Sequence, residues 1–209
     1  TEGLVLRALM AFADEPKPGA ADALARLRER GVRLVMISGD NRAAAHAMAR
    51  RLGLKPGEVQ AEVLPGDKAA RVAALRQGGH VVAMVGDGVN DAPALARAEV
   101  GIAIGAGTDV AIESAGLILA SSDPRAVVSA VRLSTAAYRK SLQNLWWAAG
   151  YNVVAIPLAA GALAWAGVNM PPAVGAVLMS ASTITVAANA QLLRRVDLRP
   201  AVPGPAAEL

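Results

Sequence analysis

HVVAMVGDGVNDAPAL, residues 80–95, decides the fold. Apolar residues run from Val81 to Val85 without alternation, which is typical of a strand buried on both faces of a parallel sheet. The run ends in a glycine-rich turn that carries carboxylates at Asp87 and Asp91. The stretch therefore predicts a buried strand that ends in a charged turn and leads into a helix.

Segments of strand and helix character alternate on both sides of this stretch, from about Leu4 to about Leu119. The predicted strands cover residues 32–38, 59–64, 80–88, 100–105 and 116–121, and the predicted helices cover 42–52, 67–77, 91–98 and 108–115. Strict alternation predicts an α/β fold, a parallel sheet with helices on both faces. Such sheets place their sites at the carboxyl ends of strands, where the charged turns SGDN (38–41) and GDGVND (86–91) both occur.

The composition changes sharply in the second half of the chain. Residues 145–193 contain no Lys, Arg, Asp or Glu. Two apolar segments, residues 144–168 and 172–193, are each long enough to cross a hydrocarbon core of ~30 Å. The connection between them is short and uncharged, so we expect an all-α transmembrane hairpin; the alternative is a buried helical hairpin in a soluble protein.

Basic residues flank both apolar segments. Arg132, Arg139 and Lys140 precede the first, and three arginines (194, 195 and 199) follow the second. The positive-inside rule puts both ends in the cytoplasm. The predicted organisation is an α/β domain over 1–121, an amphipathic connecting helix over 122–143 that opens at Asp123-Pro124, membrane helices over 144–168 and 172–193, and a cytoplasmic tail over 194–209.

Composition also excludes several functions. The chain has no cysteine, so it can form no disulfide and supplies no thiolate ligand. Its net charge is +4, but one Phe and two Tyr provide no aromatic stacking series, which argues against a nucleic-acid partner. His46 and His80 lack the spacing of metal ligands, and we interpret both as structural.

Three motifs together resemble the phosphorylation domain of P-type ATPases, within the haloacid-dehalogenase-like superfamily. They are GDGVNDAPAL (86–95), SGDN (38–41), in which Ser38 replaces the family's Thr and keeps its hydroxyl, and LPGDK (64–68). The resemblance implies that Lys68 neutralises an aspartyl-phosphate and that Asp87 and Asp91 bind Mg²⁺ beside ATP-derived phosphate. The catalytic residues that it implies are Ser38, Gly39, Asp40, Lys68, Asp87, Asn90 and Asp91.

The resemblance covers essentially all of this chain, but only the last portion of such a pump. The family's DKTGT motif with its nucleophilic aspartate, its nucleotide-binding domain and its TGE loop have no counterpart in these 209 residues. We therefore expect this chain alone to be inactive. Its first partner would be the missing N-terminal remainder of the same pump.

The apolar half resembles the last two membrane helices of heavy-metal (P1B-type) ATPases. Gly150-Tyr151-Asn152 lies in the first segment, and the second contains Met179-Ser180-Ala181-Ser182-Thr183, a form similar to the MSxST motif of a copper/silver subgroup. A thioether is a soft ligand that suits Cu⁺ or Ag⁺, whereas hydroxyl and amide oxygens are harder. The candidate metal ligands are Tyr151, Asn152, Met179, Ser182 and Thr183. The alternative is that the hydroxyls bond their own helix and that Met179 fills a packing gap.

The resemblance implies ATP-driven translocation of Cu⁺, Cu²⁺ or Ag⁺ through an aspartyl-phosphate intermediate. The implied partners are ATP, the metal ion, membrane lipid and a metallochaperone, and the implied place is a plasma or inner membrane that the protein crosses several times. Two other interpretations stay open. One is a soluble haloacid-dehalogenase-type phosphatase, and the other is a non-catalytic, truncated membrane fragment that binds metal.

Overall fold

The computed structural model describes residues 14–87, 90–105, 113–167 and 171–199. These residues fall into two compact units, one that ends at Val128 and one over Ser129–Arg199. Sequence predictions for the centre of GDGVND (88–89), for residues 106–112 and for the hairpin loop (168–170) lie outside the described ranges.

The first unit alternates helices and strands in the predicted order. Its helices are α1 (Ala20–Glu29), α2 (Arg42–Arg51), α3 (Pro65–Arg76) and α4 (Ala92–Arg97), and its strands are β1 (Met36–Ile37), β2 (Val59–Gln60), β3 (Ala83–Gly86), β4 (Val100–Ile104) and β5 (Leu117–Leu119). The strands are shorter than the apolar runs that predicted them, because only the paired residues count as strand. Helix α1 has no counterpart among the individually predicted elements.

All strand pairs in the described residues are parallel, as the sequence predicts. Strand β1 pairs with β2, with Met36 opposite Val59. Strand β4 lies between β3 and β5, with Ala83 opposite Val100 and Ile102 opposite Leu117. The described strands thus form two ladders, of two and three strands, where the alternation alone predicted one sheet. Alternation sets strand direction, whereas the choice of neighbours depends on tertiary packing.

Local signals explain where helices begin and end. The Asn41 side chain accepts a hydrogen bond from the Ala44 amide at 2.9 Å and so caps α2, which ends just before Gly53. Pro65 opens α3, where its missing N–H costs nothing. These signals lie in the sequence itself, which is why the predicted helix 42–52 matches α2 within one residue.

Two small cores hold the first unit together. Leu34, Ala49 and Leu54 form one, packed against partly buried residues of α1, α2, β1 and β2. Around α3, α4 and β4, Val72, Leu95 and Ile102 are each at most 4% exposed. Gly101 lies beside Leu95, and a Cβ placed there would come within 2.7 Å of the Leu95 carbonyl oxygen. Helix α4 can approach β4 this closely because residue 101 has no side chain.

The second unit is built on two long helices. Helix α5 (Arg125–Ala159) has 35 residues, begins at the end of the first unit, and runs without a break through the predicted connecting helix into the apolar segment. Helix α6 (Pro172–Gln191) has 20 residues and leads into a 3₁₀ turn over Leu192–Arg195. Among the described residues, one stretch, Ala173–Arg195, is long and apolar enough to cross a membrane by length and composition.

The prediction of one helix over 144–168 is wrong at its C-terminal end, because α5 stops at Ala159. The amide of Ala162 donates to the Pro157 carbonyl at 2.9 Å, and the amide of Gly161 donates to Leu158 at 3.1 Å. With Gly161 at φ +83°, this is a Schellman motif, which a glycine in the left-handed region ends. A turn and a short 3₁₀ helix (Ala164–Ala166) follow.

The surface of the second unit is strongly apolar. The most exposed apolar side chains include Trp146, Trp165, Val153, Val177 and Ile184, each at least 68% exposed. Exposed apolar area on this scale is typical of a surface that contacts lipid or other apolar helices.

Replacing Gly101 by Ala should cost about 1–3 kcal/mol in the free energy of unfolding, because the added methyl group meets backbone atoms that cannot rotate away. The matched control is Gly116→Ala, whose new Cβ would lie 3.9 Å from its nearest neighbour, the Gly101 carbonyl oxygen. Thermal unfolding in detergent compares the two. Equal midpoints for both variants would contradict the proposed close approach.

The start of α5 should show a pH-dependent contribution to stability. Arg125 donates hydrogen bonds to the Asp123 carboxylate and so holds the pKa of that carboxyl below its usual value. Since the folded pKa is the lower one, the stabilisation is present at neutral pH and is lost as the pH falls below about 4. We expect Asp123→Asn to lower stability at pH 7 by less than ~1 kcal/mol and to have a smaller effect at pH 3. An effect that is the same at both pH values, measured by thermal unfolding, would contradict the ion pair.

Candidate functional site

The turn after β1 brings the side chains of SGDN together. The Ser38 hydroxyl donates to the Asp40 carboxylate at 2.7 Å, and the Asp40 amide donates back to Ser38 Oγ at 3.1 Å. Asp40 is exposed and Ser38 half-buried. The hydroxyl is therefore at the protein surface, where a small rotation would let it donate to an incoming oxygen instead of to Asp40.

Backbone hydrogen bonds fix this turn against the segment after β2. The Ser38 amide donates to the Gln60 carbonyl at 2.9 Å, and the Val63 amide donates to the Ser38 carbonyl at 3.0 Å. The Glu62 amide donates to the Asp40 carbonyl at 2.9 Å, with Glu62 in the left-handed region at φ +59°. The turn is thus held at both ends, which leaves its side chains as the movable parts.

The second charged turn is joined to α3 by an ion pair. Lys68, in the first turns of α3, donates from Nζ to Asp91 Oδ1 at 2.7 Å. The Lys68 side chain is 17% exposed and that of Asp91 14%. The backbone carbonyl of Asp91 also accepts hydrogen bonds from Ala94 and Leu95, so Asp91 stands at the start of α4.

Gly86, the last residue of β3, lies directly beneath this ion pair. A Cβ at Gly86 would come within 2.6 Å of Asp91 Oδ2 and within 2.8 Å of Asp91 Cβ. Only glycine lets the Asp91 carboxylate fold back over the strand end, where Lys68 reaches it. The glycine of the motif therefore positions its second aspartate.

Asp87 and Asn90 lie on either side of the two residues that are not described, and both are exposed. In the described part of the chain, Asp87 makes no ion pair. Within the same ranges, no cluster of three or more His, Cys, Asp or Glu side chains forms. Two carboxylates at a strand end still fit Mg²⁺, which proteins hold through one or two carboxylates together with phosphate oxygens and water.

The structure therefore brings the predicted phosphate-site residues together as two groups. Ser38, Gly39 and Asp40 form one turn, and Lys68 and Asp91 form an ion pair at another. Over the described ranges, no hydrogen bond or ion pair links one group to the other. What they share is their place after parallel strands, the edge at which sites of such sheets lie.

In the second unit, the candidate metal ligands differ in exposure. Tyr151 and Ser182 are half-buried, whereas Asn152, Met179 and Thr183 are exposed. The Thr183 hydroxyl donates to the Met179 carbonyl of its own helix at 3.1 Å, as the alternative interpretation expected. Such a hydroxyl keeps its oxygen lone pairs, so this hydrogen bond does not prevent Thr183 from binding a metal. Met179 is 65% exposed within this chain.

Sequence reasoning missed one polar group, which joins α5 to α6. Lys140 Nζ donates to Asn189 Oδ1 at 2.8 Å, and Asn189 Nδ2 donates to Asn144 Oδ1 at 2.8 Å. The sequence signal was present, since each of the two apolar segments has an Asn near the end that basic residues flank. Pairing them required the register between the helices.

Known proteins resemble this chain over most of its length. Residues 3–99 match the family model of haloacid dehalogenase-like hydrolases. The chain is 54% identical over 186 residues, or 89% of its length, to the copper-exporting P-type ATPase B of Archaeoglobus fulgidus. It is 50% identical over 189 residues, or 90% of its length, to the copper-exporting P-type ATPase B of Enterococcus hirae. It spans about a quarter of the length of these curated relatives, 26% and 25% respectively.

A solved structure also resembles this chain. The crystal structure of a zinc-transporting PIB-type ATPase in the E2.Pi state superposes with a TM-score of 0.75 at 36% identity. The match covers 90% of this chain and 29% of that protein. The predicted fold class and the predicted resemblance to P-type ATPases are confirmed.

Replacing Lys68 by Met should lower the free energy of unfolding by about 1–3 kcal/mol, because it leaves the Asp91 carboxylate largely buried and unpaired. Adding Asp91→Asn should restore part of the lost free energy of unfolding, because the unpaired carboxylate charge is gone. Thermal unfolding of both single variants and the double variant measures the coupling, with the exposed Lys17→Met as control. Strictly additive losses would contradict the importance of the ion pair.

Proposed function

We propose that this chain, a homologue of copper-exporting P-type ATPases over most of its length, is part of an ATP-driven pump that moves copper across a membrane. The observation that carries the proposal is the 54% identity to a copper exporter over 89% of the chain. That match includes both the charged turns of the first unit and the apolar helices of the second. A soluble phosphatase has no use for a 23-residue apolar stretch with none of its most apolar window buried.

The first unit would bind the phosphoryl group that drives the pump. In the proposed mechanism, ATP phosphorylates an aspartate that lies outside these 209 residues. The Lys68 ammonium neutralises the negative charge that develops on the phosphoryl oxygens. Ser38 turns its hydroxyl from Asp40 toward one of these oxygens. Mg²⁺, held by Asp87 and Asp91, would supply further positive charge there.

Asp91 has a second role in this mechanism, as the partner that keeps Lys68 in place before phosphate arrives. An ammonium group that is 17% exposed has lost most of its hydration and needs a counter-charge. When a phosphoryl group with its own negative charge enters, Lys68 can exchange one anionic partner for another without passing through an unpaired state. Gly39, Asp40 and Asn90 shape the two turns around it.

The second unit would provide part of the metal site. Met179 offers a soft thioether, and Tyr151, Asn152, Ser182 and Thr183 offer oxygens, a donor set that favours a soft monovalent ion when further soft ligands come from elsewhere in the pump. The segments carry no carboxylate, a ligand that would suit zinc. Helix α5 enters this unit directly from the end of the phosphate-binding unit, so movement of the latter would reach Tyr151 through one continuous helix.

The proposed localisation is a plasma or inner membrane, with the first unit and the basic residues near both helix ends in the cytoplasm. ATP and copper are the proposed small-molecule partners, a metallochaperone is the proposed source of copper, and lipid surrounds the second unit. The ion itself, Cu⁺, Cu²⁺ or Ag⁺, depends on ligands that this chain shares with the rest of the pump.

Met179→Leu should raise the copper concentration for half-maximal ATP hydrolysis by on the order of tenfold or more, because it removes a soft ligand and keeps the side-chain volume. The assay uses the complete polypeptide in membrane vesicles and follows phosphoenzyme formation from labelled ATP with and without copper. Met48→Leu, in α2, is the matched control and should behave as the wild type.

Two results would contradict the proposal. Turnover stimulated by zinc and not by copper or silver would exclude the proposed ion. An unchanged copper response in Met179→Leu would contradict the proposed role of Met179 as a metal ligand.

A further inference from the structure

Lys140, Asn189 and Asn144 form a chain of hydrogen bonds whose direction is fixed by charge. An ammonium group can only donate, so Asn189 must present its oxygen to Lys140. The Asn189 NH₂ group must then face Asn144, which accepts with its own oxygen. One cation on α5 thus sets the orientation of both amides, and the chain runs from α5 to α6 and back to α5.

The same series of hydrogen bonds fixes which residues of the two helices lie level with each other. A hollow of about 250 Å³ adjoins it, lined by Gln143, Asn144 and Trp147 of α5 and by Thr185, Val186 and Asn189 of α6. Beside the hollow, residues of increasing number on α5 lie next to residues of decreasing number on α6, so the two helices are antiparallel. The half-buried residues that follow Asn144 on α5 recur at intervals of three and four, the spacing of a coiled-coil seam: 148, 151, 155 and 158. On α6 the half-buried residues are 175, 182, 186 and 189, and residue 193 in the following 3₁₀ turn is half-buried too.

Counting from Asn144 and Asn189 leads to the proposed metal site. Tyr151 lies seven residues after Asn144, and Ser182 lies seven residues before Asn189. Seven residues return a helix to nearly the same face, with a drift of roughly 20°. In an antiparallel pair, equal steps from a paired position arrive at the same height. Tyr151 and Ser182 are the two candidate ligands that are half-buried, as a seam position requires.

We propose that Lys140, Asn144 and Asn189 form a clasp that fixes the register of α5 against α6 and so holds Tyr151 level with Ser182. These three are positioning residues. At a rise of ~1.5 Å per residue, Asn144 and Asn189 lie about 10 Å along their helices from the ligands, and Lys140 lies about 16 Å from Tyr151. The proposal rests on the proposed function, since it assigns the clasp to the metal site of the pump. A shift of one residue would turn each facing side chain by about 100° and separate the two oxygens.

The register of α5 against α6 can be measured independently of transport, by forming a disulfide between the two helices. Ala148 and Val186 are both half-buried one turn from the clasp, and the chain has no cysteine of its own. We expect the pair Ala148→Cys and Val186→Cys to crosslink under mild oxidation in the complete protein in membranes, detected as linked peptides by mass spectrometry. Adding Lys140→Met or Asn189→Leu should lower the yield.

The effect on the metal site is measured in the same variants without the added cysteines. Lys140→Met and Asn189→Leu should raise the copper KM of ATP hydrolysis by about threefold to tenfold, with kcat within about twofold. A generally destabilised protein would lose kcat with its folded fraction and keep KM. Asn144→Asp, which still accepts from Asn189, should retain the wild-type KM. Arg139→Met is the matched control, because Arg139 is the neighbouring cation on α5 and is exposed.

Crosslink yield and KM that both stay unchanged in Lys140→Met and Asn189→Leu would overturn the clasp. A lost crosslink with unchanged KM would overturn its positioning role. Absence of copper-dependent turnover in the wild type would overturn the proposed function instead, and the crosslink would still report whether the three residues set the register.

Discussion

Lys68 and Asp91 meet at 2.7 Å with most of both side chains out of water. Removing two charges from water is costly, and the cost is offset only when each charge has the other in good geometry. That requirement constrains everything nearby. Helix α3 must start where Lys68 can reach the end of β3, and residue 86 must be glycine, since a Cβ there would collide with the Asp91 carboxylate. The phosphate chemistry proposed for this unit depends on where this ion pair holds the Lys68 ammonium group.

In the second unit, too, polar groups need partners, because most of the surrounding side chains are apolar. Apolar side chains dominate α6 and the second half of α5, so a polar group there needs a partner within the protein. The three-residue clasp provides such partners to one another, and the hydroxyls of Ser180, Thr183 and Thr185 donate to carbonyls of their own helix. These donor groups are therefore satisfied locally, and their hydroxyl oxygens keep lone pairs that a metal ion could use.

The sequence predicted the features that depend on neighbouring residues. Helix α2 follows from its Asn41 cap, and parallel strands follow from alternation. Features that depend on distant residues were not predictable in this way, such as the division into two ladders and the choice of Asp91 as partner for Lys68. The early end of α5 was predictable only in part. Gly161 was visible, but an apolar composition outweighed a single glycine in predicting one helix over 144–168.

The Schellman turn at Gly161 has a consequence for the membrane that holds this unit. From Asn144 to Ala159, helix α5 rises about 22 Å, at ~1.5 Å for each residue. A typical hydrocarbon core is about 30 Å thick, so the regular helix above the clasp is shorter than the layer it would cross. The turn over 160–167 must span the remainder, or the bilayer must thin around it. Lipid chain length would then set how deeply the clasp lies, and with it how much water reaches the ammonium group of Lys140.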